Sequence, residues 1–165
     1  MKKLIAVMLL LLMITPCLRA QRKEMSQARS YLKSGKDLNK AEKLMTDLLE
    51  DSVNRRNPKI YLLWYEAVEK QYEAGNEKLY LNEKYDTASL FTLTKRMFTI
   101  LETLDSIDAQ PNKKGEVKPE YRKKHAAAMN RLRPNLYSGG SYFVRKANFP
   151  VAYSFYDAYI DCARQ

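Results

Sequence analysis

The chain has 165 residues, with 29 Lys and Arg against 19 Asp and Glu, one histidine and two cysteines. The net charge of +10 is spread through mixed-sign stretches, and only Asn112-Lys113-Lys114 and Arg122-Lys123-Lys124 cluster, so the charge reads as a solvated basic face; for a chain outside the cytoplasm, an acidic protein surface or anionic envelope polymer is a better-matched partner than nucleic acid. Two cysteines exclude a disulfide framework, and the single His125 excludes histidine-rich metal sites.

Met1 to Ala20 reads as a cleavable signal peptide. Lys2 and Lys3 precede an apolar run, Leu4 to Ile14, that is short for a bilayer span, and Leu18-Arg19-Ala20 offers a small residue before Gln21. Cys17 raises a lipoprotein alternative, which Pro16 disfavours. Loss of the leader removes three cations and no acid, which lowers the net charge from +10 to +7. It also leaves Cys162 as the one thiol, placed as a packed small residue. The expected location is the periplasm or cell envelope, with the membrane met only through the leader. Residues 21–165 then form one domain.

Helical periodicity begins at Glu24 to Lys33, with Met25, Ala28, Tyr31 and Leu32 on one stripe, and Gly35 stops it. Leu38, Ala41, Leu44, Met45, Leu48 and Leu49 form a second stripe from Asp37 to about Asp51. Asn57-Pro58 is a strong helix start. The helix from Pro58 carries Ile60, Tyr61, Leu63, Trp64, Ala67, Val68 and Tyr72, and either passes Gly75 to about Lys84 or restarts at Asn76. Asp86-Thr87 caps the next helix, which holds Leu90, Phe91, Thr94, Met97, Phe98, Leu101 and Leu104 and ends near Asp108. Ala109 to Lys118 is a polar loop. Pro119 opens a helix through Leu132, and Pro134 predicts a break, with Pro134 in the first turn of the helix that follows. No stretch alternates as a strand would, so the chain is all-α.

The last stretch, Leu136 to Asp161, is a short helical hairpin. Leu136, Gly140 and Phe143 share one stripe; Lys146-Ala147-Asn148 turns the chain; Pro150 is pre-set for a first helical turn; Ala152, Phe155, Tyr156 and Tyr159 form the inner stripe of the second helix. This pattern resembles the tetratricopeptide repeat, a helical hairpin of about 34 residues. Leu136 takes the tryptophan place of that consensus, Gly140 the glycine place, Phe143 the tyrosine place, Ala152 the first alanine place and Tyr156 the aromatic place. Gly139, where Leu is usual, and Tyr159, where Ala is usual, depart from it, and the final Pro is absent. The stretches YLKSGKDLNKAEKLM and TKRMFTILETLDS carry a more general likeness to exported repeat proteins of Bacteroidetes type.

The resemblance implies a right-handed α–α superhelix, a tetratricopeptide-like solenoid of about three hairpins, whose concave groove binds a protein or peptide. Carried over, the groove places are Tyr137, Ser141 and Arg145 in the last repeat, and Arg22, Met25, Arg29 and Lys33 in the first. Arg29, Lys33 and Arg145 would favour an acidic or carboxylate-bearing segment. No catalytic, metal or cofactor signature is present. The expected function is therefore a non-enzymatic protein-interaction scaffold. Its rivals are a glycan- or ligand-binding module of an outer-membrane uptake system, and the N-terminal helical part of a larger envelope enzyme or sensor. The apolar Tyr159-Ile160 and the lack of a Gly or Asn cap after Cys162 predict that the last helix is covered, by more chain beyond Gln165, by a partner, or by a second copy in a homo-oligomer.

Overall fold

The computed structural model describes residues 21–111 and 114–162. The leader reading and the tail beyond Cys162 lie outside the described residues. Among these residues every regular element is helical: α1 (21–34), α2 (Leu38–Glu50), a 3-10 turn (Asn54–Arg56), α3 (Pro58–Tyr80), α4 (Thr87–Asp108), α5 (Arg122–Arg145) and α6 (Phe149–Asp161).

Local chemistry sets most of the boundaries. Gly35 sits at φ +67° just past α1, where a side chain would be strained. The Asn57 side chain accepts the Lys59 N–H at 3.1 Å, ahead of which Pro58 opens α3. Asp86 accepts the Ala88 N–H at 3.0 Å to start α4, and Asn148 accepts the Val151 N–H at 3.4 Å to start α6, with Pro150 in its first turn.

Of the two readings of α3, the continuous one holds: the helix passes Gly75 and ends at Tyr80, short of Lys84, and Gly75 lies buried under the Tyr85 ring, with 2.5 Å between that ring and the place a β-carbon would take. The expectation at Pro134 needs correction. Pro134 does not break the chain into two helices; α5 runs through it. A proline inside a helix costs about 3 kcal/mol in lost hydrogen bonding and ring clash. Leu132 and Leu136, on either side, are both buried in the same core, and each such burial is worth about 1.5–3 kcal/mol, so packing holds the two halves in line. Pro134 itself is exposed. Pro134→Ala is therefore expected to stabilise the protein by about 2 kcal/mol, the helical gain less what proline contributes by restricting the unfolded chain. A thermal melt should show the midpoint raised by about 5 °C. A lowered midpoint would mean that α5 has to bend here to fit α6.

Packing follows chain order. Met25, Ala28 and Leu32 of α1, Ala41, Met45 and Leu48 of α2, and Ile60, Leu63 and Ala67 of α3 form one apolar core. Tyr61, Tyr65 and Val68 take the other side of α3 into a second core with Leu93, Met97, Phe98, Leu101 and Leu104 of α4, Leu132 and Leu136 of α5, and Phe155 of α6. α3 is thus apolar on two faces because it is covered on two faces. The arrangement has two layers. Among the even-numbered helices, Glu42 of α2 meets Arg96 of α4 at 2.7 Å, and Lys95 of α4 donates to Ser154 of α6 at 2.7 Å. Among the odd-numbered ones, Asn135 of α5 donates to the Tyr72 hydroxyl of α3 at 2.8 Å, and Arg131 lies 3.8 Å from Glu69. The chain is an all-helical row in which each helix packs against the next.

Glu42 is the polar knot of this row. Its carboxylate accepts from Trp64 Nε1 at 3.2 Å, from Gln71 Nε2 at 2.8 Å and from Arg96 at 2.7 Å, so one side chain of α2 ties down α3 and α4.

Candidate functional site

The residues carried over from the repeat pattern fall on the first and third hairpins, with α3 and α4 between them. On α1, Arg22, Arg29 and Lys33 are exposed, whereas Met25, the fourth place carried over, is buried in the first core. On α5, Tyr137 is 56 % exposed, and its ring lies 5.7 Å from Tyr156 and 5.8 Å from Tyr159. The Ser141 and Tyr156 hydroxyls are 3.1 Å apart, and Arg145 is exposed at the helix end. Tyr137 and Ser141 therefore turn toward α6 and build the outer face of the last hairpin.

The packing positions of that hairpin sit close together. Leu136 and Ala152 are buried, and Phe143 stacks on Phe155 with ring centres 5.4 Å apart. Both glycines are places of close approach. A β-carbon on Gly140 would stand 2.6 Å from the Tyr156 ring, and one on Gly139 would stand 2.7 Å from the Phe155 ring. Gly139, the departure from the consensus, faces the core itself.

The furrow that opens between α3 and α5 is about 490 Å³ and is lined by Tyr72, Glu73, Glu77, Tyr80, Arg131 and Asn135. Its α3 wall is acidic, and that sign comes from hairpin two, where the repeat pattern is weakest. None of Arg29, Lys33 and Arg145 lines this furrow, which is the acidic middle of the row.

Outside these places the structure gathers polar groups around His125. The imidazole is buried at 6 % exposure between two tyrosine rings: Tyr121 stacks on it at 6.0 Å, and Tyr65 tilts against it at 6.1 Å. The Tyr65 hydroxyl donates to Glu69 at 2.8 Å, and burial with that bond pushes its pKa far up. Asp108 accepts the Tyr121 N–H at 2.8 Å, which pins the start of α5 to the end of α4 across the loop. The sequence alone marks His125 only as a lone helix residue followed by three alanines, and nothing local signals this burial.

Burial lowers the His125 pKa below the ordinary 6.5, and the charge of Lys124 adds to that, against the opposing pull of Asp108, Asp105 and Glu69. The unfolded chain then binds the proton more readily than the folded one. The contribution to stability is complete above the unfolded value and is lost as pH falls from there through the folded value. Glu102 works in the opposite sense, since burial and then the Asp161 charge raise its carboxyl pKa. The two separate by mutation: below about pH 6.5 the wild type should lose thermal midpoint faster than His125→Gln, which keeps Glu102. Parallel pH curves would show that the imidazole titrates as it does in water.

Cys162 is half-buried, its thiol donates to the Tyr159 carbonyl at 3.2 Å, and burial raises its pKa, so it is held as a packing residue and not as a nucleophile. Among the described residues no three His, Cys, Asp or Glu side chains stand where they could share a metal ion, and no helix is long and apolar enough to cross a membrane. In comparisons with known proteins, no family model, no curated protein and no solved structure matches the chain.

Proposed function

We propose that this chain is a non-enzymatic protein-interaction scaffold of the cell envelope, a tetratricopeptide-like right-handed stack that is exported by a cleavable leader and docks a helical segment of a partner protein. The observation that carries the reading is the outer face of the last hairpin. Phe149 is 62 % exposed, Tyr153 71 %, Ile160 50 % and Tyr137 56 %, and Phe149, Tyr153 and Ile160 recur at helical spacing along α6. This face belongs to the last helix of the described residues, and a helix of a partner protein would bury it. Tyrosines suit such a face, since each combines a large apolar body with a polar tip. Arg29, Lys33 and Arg145, all exposed, supply the basic ends that an acidic stretch of the same partner would reach.

A photo-cross-linking residue at position 153 should join the protein to a partner in envelope preparations, and one at Lys43 on the exposed side of α2 should not. Phe149→Glu should abolish the product. Arg29→Glu with Arg145→Glu should weaken capture of that same partner by about tenfold, the effect of losing roughly 1.4 kcal/mol. Adducts joining only two copies of this chain would assign the face to self-association. Equal labelling at 43 and 153, or capture indifferent to both charge reversals, would sink the reading.

A further inference from the structure

Among the described residues, the buried side-chain polar atoms that lack a hydrogen-bond partner are Glu102 Oε1, Asp105 Oδ1, His125 Nδ1 and Arg133 Nε. Unpaired buried polar atoms are costly, at about 1–3 kcal/mol each, and scattered ones are rare. These are not scattered. Asp105, His125 and Arg133 all line one cleft of about 310 Å³ between α4, α5 and the end of α6. Glu102 lies one helical turn before Asp105 on α4, directly after Leu101 of the cleft wall, and its charge acts on the Cys162 thiol on the opposite wall. His125, a lining residue, is more than nine-tenths buried and its Nδ1 has no hydrogen-bond partner.

The charge pattern narrows the ligand. Asp105 is anionic and Arg133 and Arg122 are cationic; Asp105 Oδ1 makes no hydrogen bond, but it already has Arg122 Nε at 3.7 Å as an ion-pair partner. The Arg133 guanidinium is held 4.4 Å over the Tyr159 ring, donates to the Tyr159 carbonyl at 3.5 Å and also acts on the Cys162 thiol, while its buried Nε has no hydrogen-bond partner. An ion of a single sign would gain from one charge and lose to the other. A molecule carrying both signs a few bonds apart would meet both. Leu101 and Met129 give the cleft an apolar floor, and its volume, at about 30 Å³ for each water-sized unit, holds on the order of ten non-hydrogen atoms.

We infer that this cleft is a binding site for a small zwitterion of the free α-amino-acid class, its ammonium on Asp105 and its carboxylate on Arg133, with His125 completing the contact. This site is independent of the docking face on α6.

The test is to titrate the full chain with each of the twenty common L-amino acids and to follow the Arg133 Nε–H and His125 ring signals by nitrogen-15 NMR, with affinities from calorimetry. At least one amino acid should shift both signals and bind at submillimolar concentration. Its N-acetyl and carboxamide forms, each lacking one charge, should bind at least about tenfold more weakly. Arg133→Gln should weaken binding as much. Because Arg133 also holds the Tyr159 carbonyl, a second variant, Asn130→Trp, fills the exposed mouth without touching the buried groups and should have the same effect. Silence from all twenty at tens of millimolar would overturn the inference, since water alone would then satisfy the four atoms. Equal binding of the singly charged forms, or affinity unchanged in a folded variant, would overturn it too.

Discussion

Gly139→Ala should destabilise the protein by about 2 kcal/mol, although alanine is the better helix former. The added methyl would stand 2.7 Å from the Phe155 ring and 3.2 Å from Phe91 Cβ. Phe155 is 2 % exposed and stacked on Phe143, so the ring cannot swing aside without opening the core. Overpacking of this kind costs about 1–3 kcal/mol, here toward the upper end, and the helical gain of about 1 kcal/mol for glycine to alanine returns part of it. Gly140→Ala is the control. Its methyl would meet the Tyr156 ring at 2.6 Å, but Tyr156 is half-buried on the outer face and can move away, at the expense of its bond with Ser141. Urea denaturation of both variants should show a large loss for position 139 and little change for position 140. The reverse order would mean that α5 and α6 meet in a different register.

Glu42→Ala should cost about 2–3 kcal/mol. The Glu42 side chain is 13 % exposed and serves three donors on two other helices. Each lost bond contributes about 1 kcal/mol, and the half-buried Trp64 and Gln71 donors would be stranded away from water. The Arg96 side chain is 40 % exposed and can rehydrate, so the ion pair adds little beyond its geometry. Trp64 is the one tryptophan of the chain, so its fluorescence reports both the unfolding transition and the local change. Glu42→Gln, which keeps an acceptor oxygen, should lose less. A loss below about 0.5 kcal/mol for the alanine variant would place the cluster among ordinary surface contacts.

Much of the helix framework was legible from short-range chemistry. Gly35, Asn57-Pro58, Asp86 and Asn148-Pro150 act on backbone groups within a few residues of themselves, and their effect does not depend on what packs above them. The apolar stripes of α2 and α4 are visible for the same reason. Pro134 misled because its cost is local while the compensation is not: Leu132 and Leu136 are locked in place by α3, α4 and α6, which the local sequence does not display. Gly139 looked like a defect in a pattern until Phe155 was seen lying against it.

The candidate sites divide along the same line. Arg29, Lys33 and Arg145 came from the places that the repeat resemblance implies, and all three are exposed, whereas Met25, carried over in the same way, is buried. The direction in which Tyr137 and Ser141 point, the acidic middle at Glu73 and Glu77, and the cleft around His125 depended on which helix lay beside which. By itself the sequence determined that this chain is helical, where most of its helices start and which faces they bury, because those properties arise from neighbours within one or two turns. Only the tertiary structure decided that Glu42 would meet Trp64, Gln71 and Arg96, and that Asp105, His125 and Arg133 would line one space. Such meetings join residues from different helices, and the packing of large apolar side chains between those helices, not any local preference of the polar ones, sets them.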